Sequence, residues 1–146
     1  MADRRYSIEE IQDRFAIEDL YDRQLAAAEA FDLEAYDTTF AADALVDLSD
    51  FGVPQCSYPE YRAWLAGLQD VMLKAQRIIG GLRLQLDGNR ATARVPVSCH
   101  VVMQSGQEQS LTHTGIFYND SLERRPEGWR IVERVEELGW SAAPTR

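Results

Sequence analysis

Ile8, Ile11, Phe15, Tyr21 and Leu25 recur at helical spacing along the first thirty residues, leaving Gln12, Asp19 and Arg23 toward water. Such a stripe predicts an amphipathic helix whose apolar side meets a core. Ser7-Ile8-Glu9-Glu10 is a Ser-x-x-Glu capping box that starts it, and no Gly or Pro interrupts it before about Ala30. A second, short helix is predicted from Asp32 through Leu33, Tyr36 and Phe40, followed by a strand over about 43–50. Tyr58-Pro59-Glu60 opens a third, with Pro in the first turn and Glu at the positive end of the dipole. It is expected to run through Trp64, Leu65, Leu68 and Met72.

After Lys74 the period changes to two. RIIGGLRLQL (77–86), the turn Asp87-Gly88-Asn89 and RATARVPVSCHVVMQ (90–104) read as strand, tight turn, strand. The turns SGQEQ (105–109) and RRPEG (124–128) separate two more strands, SLTHTGIFYND (110–120) and WRIVERVEEL (129–138). The order is three helices with one strand interposed, then a four-strand antiparallel meander, which is an α+β arrangement. Residues 1–146 read as one domain, with about 1–6 and 141–146 frayed. A strongly bent sheet with the long helix packed across it makes a cone with an open mouth, large enough for a small molecule.

Composition narrows the function classes. The chain has 15 basic and 24 acidic residues, a formal net charge of −9. An acidic surface disfavours nucleic acid and anionic membranes as partners. Cys56 and Cys99 lie in no CxxC pair and near no His at ligand spacing, so they read as free thiols in a reducing cytoplasm, and no metal is expected. The N-terminus lacks the apolar core of a signal peptide, and no run approaches a membrane span, so the expected location is cytoplasmic.

Two positions stand out chemically. Glu29 lies 18 residues beyond Ile11, five helical turns, in a segment (AAAEAFD, 26–32) whose small residues would leave the cone's mouth open. His113 shares a strand face with Leu111, Gly115 and Phe117, and its imidazole is the natural acid or base at working pH. His100 alternates with the Val97-Cys99-Val101 row and faces the other way, beside Ser98 and Val102. Simple alternation places Arg77 with Arg83 and Gln85, opposite Leu82, Leu84 and Leu86. A bulge at Gly80-Gly81 would bring it to the leucine side. Glu133, Glu136 and Glu137 read as solvated.

The segments AIEDLYDRQLAAAEAFD (16–32), LRLQLDGNRATARV (82–95) and GIFYNDSLERRPEGWRI (115–131), in this order and spacing, carry a resemblance that covers nearly the whole chain. The chain resembles the SnoaL-like branch of the nuclear-transport-factor-2-like superfamily, which includes polyketide cyclases, scytalone dehydratase, bile-acid dehydratase and the lindane dehydrochlorinase. The resemblance implies a cone-shaped, strongly curved, mainly antiparallel sheet whose helices enclose a pocket. It also implies a homodimer or homotrimer, no cofactor, and a small-molecule substrate. The Asp that pairs with a catalytic His in the dehydrochlorinase aligns with Glu29, which carries the carboxylate ~1.5 Å further out. The His itself aligns with Arg77, a group that cannot act as a base but can stabilise an oxyanion. A His on a later strand, as in scytalone dehydratase, falls at His113.

The expected function is therefore a cofactor-independent lyase, of dehydratase, β-elimination or retro-aldol type, on a small oxygenated, aromatic or polycyclic substrate. His113, polarised by Glu29, would take the proton, with Arg77 and Tyr21 or Tyr36 stabilising charge. Phe40, Asp47, Phe51, Tyr58, Trp64, Met72, His100 and Phe117 would join Tyr36 in binding substrate. An isomerase or aldol-type polyketide cyclase is the second reading, and a non-catalytic ligand-binding or assembly domain the third.

Overall fold

The computed structural model describes residues 2–142. At the first helix start, Ser7 Oγ accepts from the Glu10 backbone N–H at 3.0 Å, and the Glu10 carboxylate accepts from the Ser7 N–H at 3.2 Å. Helix α1 (Ile8–Ala30) ends on Phe31 in the left-handed region at φ 54°, a conformation that costs an ordinary residue roughly 1–2 kcal/mol. In return Phe31 closes the helix through its N–H to Ala28 O, and its ring lines the cavity described below. Helix α2 (Leu33–Asp37), strand β1 (Phe40–Leu48), a 3-10 turn at Ser49–Phe51 and strand β2 (Val53–Ser57) follow. A second capping box, Ser57 with Glu60, starts helix α3 (Tyr58–Gly67). Then come β3 (Met72–Ile79), β4 (Arg83–Asp87), β5 (Arg90–Ser105), β6 (Glu108–Arg125) and β7 (Gly128–Ser141).

The seven strands form one curled, unclosed sheet in the order β2-β1-β7-β6-β5-β3, with β4 also on β5. All pairs are antiparallel except β1 with β7. This is the α+β arrangement expected. It corrects three details: β2 adds a strand, the third helix stops at Gly67, and Met72 opens a strand instead of closing the helix. Ser141 still pairs with Thr114, while the end of the tail expected to fray lies outside the described residues. Among the described residues no helix is long and apolar enough to cross a membrane.

Two breaks in alternation decide what faces the interior. The first separates β3 from β4. Pro96 of β5 has no N–H to give to the ladder, and its ring fills the space that a Cβ at Gly80 would need, at 2.8 Å. Pairing stops at Ile79–Val97 and resumes at Arg83–Arg94. Arg77 then pairs with Cys99 and Leu84 with Ala93, and both partners belong to the inward row of β5. Arg77 therefore shares the inner face with the leucines.

The second break lies on β7. Ile131 pairs with Leu122 but Glu133 with Ser121, so Val132 is an extra residue. Before it, Trp129 and Ile131 point inward. After it, Arg134 and Glu136 do, opposite the inward residues Asp120 and Tyr118.

Helix α1 also packs on a different line from the one predicted. Its buried residues are Asp13, Ile17, Leu20, Tyr21, Gln24 and Ala27, while Ile8 (77% exposed), Ile11 and Phe15 (62%) face solvent. Polar residues mark the true inner face because each has a partner. Asp13 accepts from Arg124 at 2.7 Å and from the Trp129 indole at 3.3 Å, and Gln24 donates to Thr39 Oγ1 at 2.8 Å. Satisfied in this way, they cost little to bury.

Candidate functional site

The concave side of the sheet, the C-terminal half of α1, α2 and α3 enclose a cavity of about 200 Å³. Ala27 and Ala28 take up little room on the helix side, while Phe31, Leu33, Trp64, Leu65 and Met72 supply apolar walls. At the sheet side the lining turns polar: Arg77, Cys99, Thr114, Tyr118 and Glu136, with Tyr36 and Tyr61 adjoining. A largely apolar cavity with a few convergent polar groups is the usual form of a small-molecule site.

Glu136 is the one acidic residue in this lining and Arg77 the one basic residue. Burial raises the Glu136 carboxyl above the usual range, although Arg134 and Arg77 pull it back, and Asp120 adds to the rise. Among the described residues its carboxylate has no hydrogen-bond partner. The guanidinium of Arg77 meets the Cys99 thiol, whose own pKa burial raises against the pull of Arg77. Tyr36 Oη and Tyr61 Oη stand 3.3 Å apart. Burial pushes the Tyr36, Tyr61 and Tyr118 phenols up, so all three stay protonated and able to donate.

Behind this lining lies a fully buried ionic cluster. Arg134, with no exposed surface, clasps Asp120 through two bonds of 2.8 Å, Nε to Oδ1 and Nη2 to Oδ2. Tyr21 Oη donates to the same carboxylate at 2.5 Å. The Arg134 guanidinium lies 3.7 Å from the Tyr118 ring centroid, and its Nη1 has no hydrogen-bond partner among the described residues. A bidentate clasp fixes a guanidinium in orientation as well as charge. Arg134 and Glu136, two apart on one strand, leave β7 on the same side, so the held cation stands beside the cavity's acid.

Of the residues singled out from the sequence, Arg77, Tyr36, Phe51, Trp64 and Met72 line the cavity. The Glu29–His113 pair does not form. Thr114, Ile116 and Tyr118 of β6 face the cavity, so alternation sends His113 to the outer face, while Glu29 is exposed at the end of α1 on the inner side. His113 instead stacks on His100 there, and Phe117 lies on that face under the Arg94 guanidinium at 4.0 Å. Tyr21 is spent on Asp120. Phe40 stacks on Tyr58 in the core at 4.7 Å, and the Tyr58 hydroxyl donates to Asp37. Asp47 accepts from the Ser49 N–H at 2.8 Å and so holds the 3-10 turn.

Glu136 was read as solvated together with Glu133 and Glu137, and alternation starting from Trp129 and Ile131 leads past it as well, to 133, 135 and 137. Only the extra residue at Val132 moves 134 and 136 inward. The one sequence signal available was the Val-Glu-Arg-Val-Glu run itself, in which two apolar positions sit three apart instead of two.

The same fold is seen in solved structures. A hexachlorocyclohexane dehydrochlorinase (LinA, type 2) superposes with a TM-score of 0.82 at 20% identity, over 95% of this chain and 93% of that one. A protein of Kribbella flavida gives 0.82 at 19% identity, over 90% and 94%. A scytalone dehydratase-like protein of Novosphingobium aromaticivorans gives 0.79 at 13%, over 90% and 87%. At these identities the likeness establishes the fold. An uncharacterized protein of Mycobacterium tuberculosis H37Rv is 29% identical over 130 residues, 89% of this chain and 88% of that protein. The SnoaL-like domain pattern matches residues 9–135, and the chain belongs to that family.

Proposed function

We propose that the protein is a cofactor-independent lyase or isomerase that moves a proton next to a carbonyl of a small, oxygenated, aromatic or polycyclic substrate. The observation that carries this reading is Glu136 set with Arg77 in a largely apolar cavity, its carboxylate free of any hydrogen bond among the described residues. Glu136 takes the role first expected of the histidine. A carboxylate raised by burial is a stronger base than one in water, so it can remove a proton from the carbon beside the carbonyl. Negative charge then collects on the carbonyl oxygen, where Arg77 and the phenols of Tyr36, Tyr61 and Tyr118 supply positive charge and donors. Return of the proton to another carbon gives isomerisation. Delivery of a proton to a departing hydroxyl gives dehydration. The similar dehydrochlorinase and scytalone dehydratase-like structures support an elimination. An aldol-type cyclisation uses the same enolate.

Deuterium exchange tests the common first step without knowledge of the natural substrate. Aromatic and bicyclic hydroxyketones, incubated with the protein in D2O, are expected to take up deuterium beside the carbonyl, as read by NMR. Arg77→Gln should slow this by about 10²–10³, the usual cost of losing one oxyanion donor. Ligands that bind in the cavity but show no exchange and no elimination would instead make this a ligand-binding domain. Assembly into a homodimer or homotrimer belongs to the same proposal, and sedimentation equilibrium of the full chain reads it directly; a monomer at all concentrations would remove it.

A further inference from the structure

We propose that His100 and His113 form a two-histidine site for a borderline divalent metal ion, of the Zn²⁺, Ni²⁺ or Cu²⁺ kind, on the outer face of the sheet. The register of β5 with β6 sets the two residues directly opposite each other, so both side chains leave the sheet on one side. Their ring centroids are 3.9 Å apart and their planes 25° from parallel. Two nitrogens bound to one ion at about 2.0–2.1 Å stand roughly 3 Å apart at tetrahedral or octahedral angles. Converging on a common ion therefore takes a tilt of the rings, not a rearrangement of the strands.

The nitrogens are in a suitable state. His100 Nδ1 is buried with no hydrogen-bond partner among the described residues. In the neutral tautomer with its proton on Nε2, Nδ1 offers a bare lone pair. His113 Nε2 lies 2.9 Å from Ser98 Oγ. When the hydroxyl accepts the Nε2 proton, His113 Nδ1 carries the lone pair, and the contact fixes the tautomer as outer partners of ligating histidines commonly do. Buried nitrogens left without partners are uncommon, and a metal ion supplies the missing interaction.

The surroundings select the type of ion. Among the described residues no three His, Cys, Asp or Glu side chains gather at one point, so water fills the remaining positions. Imidazole nitrogens without carboxylates favour Zn²⁺, Ni²⁺ and Cu²⁺ over Mg²⁺ and Ca²⁺. The site is on the opposite face of β5 and β6 from Cys99 and Tyr118, so it is separate from the cavity. It was not visible at ligand spacing in the sequence because the two histidines meet only through a hairpin.

Trp140 makes the proposal measurable: its indole stands edge-on to His113 with centroids 4.7 Å apart. Ni²⁺, which is paramagnetic, should quench its emission on binding. Titrating the untagged full chain with Ni²⁺ is expected to give saturable quenching that excess Zn²⁺ relieves. His100→Gln and His113→Gln should each weaken the apparent affinity by at least the ~10-fold that even an outer partner is worth. Trp140→Phe should remove the quenching while calorimetry still reads Ni²⁺ binding. A second measurement needs no variant: substoichiometric Ni²⁺ must broaden the His100 and His113 imidazole resonances first. Absence of saturable binding, unchanged affinity in both histidine variants, or broadening that begins elsewhere overturns the site.

Discussion

Asp120→Ala is expected to destabilise the protein by about 3–5 kcal/mol, the usual cost of removing one partner from a buried ion pair. Among the described residues the side chain lost is the sole anion bonded to Arg134, and both residues are sealed from solvent. Its removal leaves a guanidinium with two N–H groups unpaired besides Nη1, and takes the acceptor from Tyr21. Against a typical total stability of roughly 5–15 kcal/mol, that is a large fraction. Urea unfolding reads it directly. Tyr21→Phe should cost about 1 kcal/mol, one hydrogen bond. Replacing both charges by apolar groups of like size, Asp120→Leu with Arg134→Met, should recover much of the stability. In the recovered protein the Glu136 carboxyl should hold its proton to a higher pH, because the pull of Arg134 on it is gone, so the rise of the rate with pH should move upward. A loss below about 1 kcal/mol in Asp120→Ala would mean that the pair is not buried as described.

Glu136→Gln should lower turnover by about 10²–10⁴, the range attributed to a positioned acid or base. The variant keeps the shape and loses only the ionisable group, so substrate binding should change little, and kcat should carry the effect. The wild-type rate should climb with pH as the Glu136 carboxyl, raised by burial, gives up its proton, and the variant should lack that limb. Stability should move the other way. The folded protein holds the Glu136 proton more tightly than the unfolded chain does. Its contribution is therefore complete below the ordinary carboxylate range and disappears as pH rises through the raised folded value. Near neutrality the wild type bears the cost of a desolvated carboxylate, which glutamine does not. Glu136→Gln should then melt at a higher temperature than wild type at pH 7, with the difference vanishing in acid. A variant of full activity and unchanged melting would place Glu136 in solvent and end the proposed mechanism.

The elements most readable from the sequence were those carried by local rules. The Ser7–Glu10 box, Pro59 in a first helical turn, and the Asp87–Asn89 turn each depend on a few adjacent residues, and each stands where expected. The alternative of a bulge at Gly80-Gly81 was also visible, though not its cause, which lies sixteen residues away in Pro96. What stayed hidden depends on long-range partners. Asp13 and Gln24 occupy the buried side of α1 only because Arg124, Trp129 and Thr39 come to meet them. A polar residue with an unseen partner looks like a surface residue, so the helix was read with Ile8, Ile11 and Phe15 inward. The Glu29–His113 pairing failed for a related reason. A period of two says which residues share a face, but not which face is concave.

The extra residue at Val132 lets a single strand serve two interiors. Before it, Trp129 and Ile131 are buried in the core of the fold; after it, the same strand offers an acid to the cavity and a cation to the buried cluster behind it. Were Val132 to take an ordinary place in the ladder, Glu133, Val135 and Glu137 would face inward in place of Arg134 and Glu136 without a change in any side chain. Chemistry and scaffold thus sit side by side within fourteen residues of chain. Past the bulge the two meet: a change at Glu136 alters the chemistry and leaves the scaffold standing, while one at Arg134 is felt by the whole molecule.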